Sequence, residues 1–404
     1  MAGPLAGYRV LDLSRILAGP WASQMLADLG AAVIKIERPG SGDDTRAWGP
    51  PYMPDERGEP TTESAYFHSA NRGKRSVCID LSKPQGQVLI QDLARHSDVL
   101  IENFKVGGLK QYSLDYESLK LLNPALVYCS ITGFGQTGPY AERAGYDFMI
   151  QAMGGMMSLT GEAQGQPMKI GVALADILTG LYAANAIQAA LIHQQKTGEG
   201  QYIDMALLDV QVATLANQAM NYLASGSNPR RLGNAHLNIV PYQAFQTGDG
   251  HIILAIGNDA QFQRFCEASG RPELAADARF LKNSDRVKYR DLLIPLVVDI
   301  MQAKTSQWWL EELNARGIPC GPINDLDQVF ADPQVQHRGM RLELEHTMAG
   351  KVASVANPIK MSTTPLAYER APPMLGQHTD EVLLGILGLP ADAIDRLRNA
   401  AVIA

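Results

Sequence analysis

Residues 9 to 37 read Arg9-Val-Leu-Asp-Leu-Ser-Arg-Ile-Leu-Ala-Gly-Pro-Trp-Ala-Ser-Gln-Met-Leu-Ala-Asp-Leu-Gly-Ala-Ala-Val-Ile-Lys-Ile-Glu37. A short apolar run, Arg9 to Leu13, gives way to a loop, Ser14 to Gly19, and then to a helical stretch from Pro20 to Leu29. Pro20 suits a first helical position and Gly30 the residue past the helix end. Ala32 to Ile36 follows as a second strand. Strand, helix and strand in so short a span form a crossover unit, which makes the two strands parallel.

The pattern continues outward. Residues 76–80, 99–102 and 126–131 read as further strands, and 84–96 and 116–122 as helices. This alternation predicts an α/β fold, an open Rossmann-like parallel sheet with helices on both faces. A Pro/Gly-rich loop, 38–72, separates the second and third strands. From 147 the chain turns rich in Met, Ala and Gly, and a long helix is expected from about Ala175 to the cationic turn and C-cap glycine at Lys196-Thr-Gly198. A polar linker at 224–231 leads to two alternating runs joined around Gly248-Asp-Gly250, a hairpin signal that opens a smaller α+β domain. Beyond Pro322 the expectation is loop, short strands and one helix at 379–387.

The 404 residues suggest two or three domains. With 46% apolar and 19% charged residues, general disorder is excluded. A formal charge of −7 argues against nucleic-acid or anionic-membrane partners. The cysteines, Cys78, Cys129, Cys266 and Cys320, lie far apart without metal-ligand spacing, so reduced thiols and no metal site are expected. The N-terminus lacks a basic segment followed by an apolar core, which points to a cytoplasmic protein. The stretch 170–192 is long enough to span a bilayer, but it carries Asp176, Asn185 and Gln188 and reads as a buried helix of a soluble enzyme.

The loop after the first strand holds one glycine, so the G-x-G-x-x-G dinucleotide fingerprint is absent. Glu37 stands where a ribose-binding acid would be. Arg15, Arg38, Arg72, Lys74 and Arg75 fall on one presumed sheet edge, where they form either a polyphosphate site or a solvated rim. Asp176 is an acid in apolar surroundings at the start of the long helix. It is either a carboxylate favoured by the helix dipole or one kept partly dry as a nucleophile or base. Asp147, beside Tyr146, either brings a second carboxylate close or serves a turn. His236, on a polar loop, faces substrate or solvent.

Several blocks resemble the class III coenzyme A transferases: Leu11 to Pro20, Leu26 to Glu37, Asn71-Arg-Gly-Lys-Arg-Ser76, Glu102-Asn-Phe104, Ser130 to Pro139, Leu174-Ala-Asp176, Ile318 to Pro322 and Ala371 to Glu381. Gly40 to Pro51, Arg143 to Asp147 and Ala235 to Phe245 are similar to the branch that exchanges CoA between succinyl-CoA and glutarate. The resemblance implies a CoA-transferase taking an acyl-CoA donor and a dicarboxylic acid acceptor, with CoA as substrate and no resident cofactor. It places the nucleophile on Asp176, with aspartyl anhydride and enzyme–CoA thioester intermediates. It places CoA contacts on Ile16, Ala18, Arg38, Asn103 and Phe104, with Arg72 and Lys74 beside them. Tyr146, His236, Arg46 and Arg143 are candidates for substrate. It also implies an interlocked homodimer with a large domain of 1–224 completed by 322–404 and a small domain of 225–321. A glycine-rich lid known in the family is missing, and Gly233-Asn-Ala-His236 stands in its place. The α-methylacyl-CoA racemases share the fold, but resemble Gly-His-Asp where this chain has Gly145-Tyr-Asp147, and a phenol titrating near ~10 is a poor substitute for that imidazole. A non-catalytic CoA-binding protein is the remaining alternative.

Overall fold

The computed structural model describes residues 3–404. The chain forms two compact units, one from residues up to 156 with 170–220 and 333–404, the other from 157–169 and 221–332. These bounds differ from the expected 225–321 for the smaller part, because a short upstream segment also packs with it and it runs further downstream.

The first unit is built on six strands: β1 (Arg9–Asp12), β2 (Ala32–Glu37), β3 (Lys74–Cys78), β4 (Val99–Glu102), β5 (Val127–Thr132) and β6 (Tyr202–Ala206). All pair in parallel, in the order β3-β2-β1-β4-β5-β6. Side chains alternate across the pleat. Val10, Val33, Val99, Ile101 and Val127 face helices α1 (Ala18–Asp28) and α2 (Leu174–Thr197). Leu11, Ile34, Val77, Leu100 and Tyr128 face the helix Pro84–Arg95 and the C-terminal helices Thr379–Leu387 and Ala391–Asn399. With both faces covered, the strands carry apolar runs such as Val99-Leu-Ile101, and the charges that interrupt them, Asp12, Lys35 and Lys74, are paired inside the protein.

The C-terminal segment is part of this core. Val402 and Ile403 are buried, Asp80 donates its N–H to the Val402 carbonyl at 2.8 Å, and Ile79 bridges Ile403. Strand β3 starts two residues earlier than expected, because Lys74 and Arg75 pair with Val33 and Ile34 and the Lys74 charge is met inside the protein. The 38–72 loop contains a hairpin, Tyr52–Pro54 with Pro60–Ser64, and the region after 322 holds more helix than expected, with Leu326–Ala331, Pro333–His337 and Ala391–Asn399.

Helix α2 passes a length-and-composition test for crossing a membrane. In this fold its small residues pack on α1. A Cβ at Gly180 would lie 2.7 Å from the Ala18 carbonyl oxygen, so glycine sets the closeness of that crossing. The helix ends at Gly198 in the left-handed region, φ 78°, as expected of a C-cap glycine.

The second unit carries an antiparallel sheet with His251–Ala255 at its centre, flanked by Tyr242–Gln246 and Cys320–Pro322. Its core is aromatic, with Phe245, Phe262, Phe265, Phe280 and Trp309 buried.

Candidate active site

The sheet order reverses between β1 and β4, and open α/β sheets bind ligands past the C-terminal ends of such a strand pair. Two loops leave there. Arg15 donates its N–H to Asn103 Oδ1 at 2.9 Å, and Asn103 Nδ2 donates to the Arg15 carbonyl at 2.7 Å. Ile16 sits at φ 72°, costly for a β-branched residue. It is held there by Asp43, whose Oδ1 accepts the Ile16 N–H at 3.2 Å, and by Lys35, which donates to the Ser14 carbonyl at 2.9 Å and pairs with Asp43 at 2.8 Å. Both members of that pair are buried, and Lys35 keeps the Asp43 carboxyl down at about 2 although burial alone would raise it.

The loops open onto a cavity of about 450 Å3 lined by Ile16, Ala18, Asn103, Phe104, Tyr146 and Asp176. A second cavity, about 380 Å3, is lined by Arg38 and shares Arg15 and Phe104 with the first. Arg38 is exposed there, and Arg15 is paired with Asp44 at 2.9 Å.

Asp176 stands in the first turn of α2, where Ala173 offers no capping side chain. Asp147 takes over that role: its Oδ1 accepts the Ala175 N–H at 2.8 Å, and its Oδ2 accepts from Gln151 Nε2 at 2.8 Å. Gln151 in turn accepts the Ile170 N–H at 2.9 Å. Asp176 itself is half-buried. Burial, and then the Asp147 charge, push its carboxyl up to about 7, against the helix dipole that favours an anion at this end. The approach of Asp147 depends on two glycines. A Cβ at Gly145 would lie 2.3 Å from the Gly133 Cα, so the two loops can cross only without side chains.

The crevice thus gathers Asp176, Ile16, Ala18, Asn103, Phe104 and Tyr146, with Arg143 also on its lining. Arg143 is exposed, its guanidinium 4.6 Å from the Tyr140 ring centroid and 5.2 Å from that of Phe134. Tyr146 is 62% exposed.

Three candidate cations are corrected. Arg46 points inward, donating to both oxygens of Glu37 at 2.8 Å and approaching Glu63 at 3.3 Å. Arg72 is buried against Asp28 at 2.6 Å and donates to the Val355 carbonyl at 2.9 Å. Lys74 is fully buried against Asp12, Asn71 and the Pro20 carbonyl, and burial presses it down to about 8. Their donors are spent on the protein, so they are framework charges. Glu37 is likewise buried on Arg46, Ser76 and the Asp43 N–H, which leaves it no face for a ribose. His236 lies in the second unit, in a cavity of that unit.

Asp147 is the functional neighbour that residue patterns left open; its signal was a carboxylate ahead of a helix with no cap of its own. Glu63, His68 and His346, distant in sequence, also converge in the interior. His346 Nδ1 accepts the N–H groups of Met348 and Ala349, which puts the ring proton on Nε2 and removes that nitrogen's lone pair from metal ligation.

The family model described as "CoA-transferase family III" matches residues 5–379. The chain is 56% identical over 384 residues to the succinate-glutarate CoA-transferase of Agrobacterium fabrum, covering 94% of this chain and 95% of that protein. It is 44% identical over 400 residues to the succinyl-CoA:glutarate CoA-transferase of Homo sapiens, covering 99% and 90%. Among solved structures, a CAIB/BAIF family protein from Brucella suis superposes with a TM-score of 0.84 at 52% identity, covering 96% of this chain and 100% of the other.

Proposed function

The chain belongs to CoA-transferase family III and is a CoA-transferase, and from that membership we propose that it moves CoA from succinyl-CoA to glutarate with Asp176 as covalent nucleophile. The observation that carries the reading is a half-buried carboxylate at a helix N-terminus, opening into the cavity beyond the sheet reversal. The names of the Agrobacterium and human relatives supply the two acids.

The Asp176 oxygen attacks the thioester carbonyl of succinyl-CoA. The C–S bond breaks, CoA leaves as thiolate, and an aspartyl–succinyl anhydride remains. The thiolate attacks the aspartyl carbonyl and expels succinate, leaving an enzyme–CoA thioester. Glutarate attacks that carbonyl, the thiolate departs again, and a second anhydride forms. Attack of the thiolate on the glutaryl carbonyl gives glutaryl-CoA and restores Asp176. No bond passes through water, so a partly dry site protects both anhydrides. The raised basicity of Asp176 makes its ionised form a better nucleophile, while a useful fraction stays ionised near neutral pH. The positive end of α2 favours negative charge developing on the attacked carbonyl.

CoA takes its thioester end past Ile16, Ala18, Asn103 and Phe104, and its phosphates toward Arg38 and Arg15. CoA and the acids are substrates, and the sequence of steps asks for no resident cofactor. An interlocked homodimer is part of the proposal, supported by Leu181, Tyr182 and Ile192, which α2 leaves exposed. We place the enzyme in the cytoplasm.

The test is mass spectrometry of the Asp176 peptide after incubation with succinyl-CoA. A CoA adduct on Asp176 that disappears on addition of glutarate is expected, together with loss of turnover in Asp176→Ala. Turnover by that variant, or no adduct, overturns the mechanism.

A further inference from the structure

The second unit holds a cavity of about 290 Å3, at the small end for an organic ligand and too small for CoA. Leu232, Ile239, Val240 and Ile294 make its lining largely apolar, and His236 and Arg290 bring donors to it. His236 Nδ1 accepts the Asn238 N–H at 3.0 Å, so the neutral ring carries its proton on Nε2, as a donor. Arg290 spends Nη2 on the carbonyls of His236, at 3.2 Å, and Leu237, at 2.6 Å. That tie fixes the guanidinium and leaves its other N–H groups uncommitted among the described residues.

Other inward arginines of this protein show the contrast. Arg286, fully buried in the same unit, pairs with Asp259 at 2.8 Å, and Arg46 and Arg72 pair with Glu37 and Asp28. Arg290 is half-buried and forms no ion pair among the described residues; the nearby Asp291 is exposed on the same cavity. Burial disfavours its charged form, with Asp291 only partly offsetting this. A half-dry cation and an imidazole N–H on the lining of one cavity are complementary to a carboxylate, which can accept from both.

We propose that this cavity is a carboxylate-binding subsite, in which a short dicarboxylic acid places one carboxylate against Arg290 and His236. The proposal rests on the substrate reading above, since glutarate and the succinyl group of the donor are both acids of this class.

The test uses the full-length chain with Arg290→Gln, Arg290→Lys and His236→Gln. Loss of a charged hydrogen bond predicts that glutarate affinity, read by calorimetric titration, falls about 10- to 100-fold in Arg290→Gln, with partial recovery in Arg290→Lys. Binding of free CoA should stay as in the wild type, because CoA carries no carboxylate and is too large for this cavity. Unchanged glutarate affinity, or an equal loss of free-CoA binding, overturns the subsite. Should Arg290→Gln melt early because its tie to the His236 loop is gone, His236→Gln carries the same test with a smaller expected loss. Calorimetric titration of glutarate separates this proposal from the assigned reaction. If the wild type transfers nothing to glutarate, the substrate reading fails. Glutarate binding that Arg290→Gln abolishes would still support the subsite, and its absence, or equal binding by the variant, would end it.

Discussion

Asp147 accepts the backbone N–H of Ala175 at 2.8 Å, so one carboxylate caps the helix whose first turn carries another, Asp176. The two carboxylates therefore repel each other, and the structure keeps both because Asp147 has a fixed hydrogen-bonding task.

Asp147→Asn keeps a carbonyl oxygen for Ala175 and removes the charge. The Asp176 carboxyl then becomes more acidic, and the acid limb of kcat/KM against pH moves down by roughly half to one unit. Asp147→Ala loses the cap too and should cost about 1 kcal/mol more in denaturant unfolding. A limb that stays in place in Asp147→Asn would mean that the two carboxylates do not communicate.

The proposed mechanism requires Asp176 to be ionised, so it predicts that kcat/KM rises with pH through about 7 and then levels. Stability runs the other way. Its carboxyl sits at about 7 against an ordinary 3.8, so the folded state holds a proton that the unfolded chain has released between those values. Its contribution is intact below about 4 and lost as pH rises to 7. Asp176→Asn should match the wild type at pH 4 and be more stable at pH 8, by no more than ~4 kcal/mol and less where solvent screens the group. Glu102, buried and also raised to about 7, titrates in both proteins, so the difference between them isolates Asp176.

Lys74 and Arg38 make opposite predictions. Lys74→Met leaves the buried Asp12 carboxylate short of a partner and should destabilise by about 3–5 kcal/mol, with KM for succinyl-CoA little changed in the folded protein. Arg38→Gln should leave the melting temperature alone and raise that KM several-fold, as expected for loss of one phosphate contact. A large KM effect from Lys74→Met would return that residue to the ligand.

Gly145→Ala forces a Cβ to within 2.3 Å of the Gly133 Cα, so the loop carrying Asp147 must move. The expected result is a drop in kcat larger than the rise in KM, together with a lower melting temperature. Full activity would show that the loop crossing tolerates adjustment.

The crossover at 9–37 was legible because turn chemistry and apolar runs are local, and Asp176 stood out because an acid in an apolar helix is unusual. What a side chain does with its charge is not local. Arg72 and Lys74 carry the composition of a phosphate site and Arg46 that of a substrate contact, yet Asp28, Asp12 and Glu37 neutralise them from elsewhere in the chain. Asp147 was ambiguous for the same reason, since the N–H it caps belongs to a helix 28 residues away. Arg290 gave no signal at all: one arginine at a helix start is ordinary until the fold shows that it forms no ion pair among the described residues and lines a cavity.

Val402 and Ile403 close the first unit against the loop after β3, and this has a bearing on synthesis. A ribosome that has made everything up to residue 332 has supplied the whole of the second unit, while the sheet that presents Asp176 still lacks the segment covering one face. A nascent chain at that stage displays a bare apolar surface, and translation pausing or truncation in the 333–404 region should recruit chaperones or proteases out of proportion to the few residues missing.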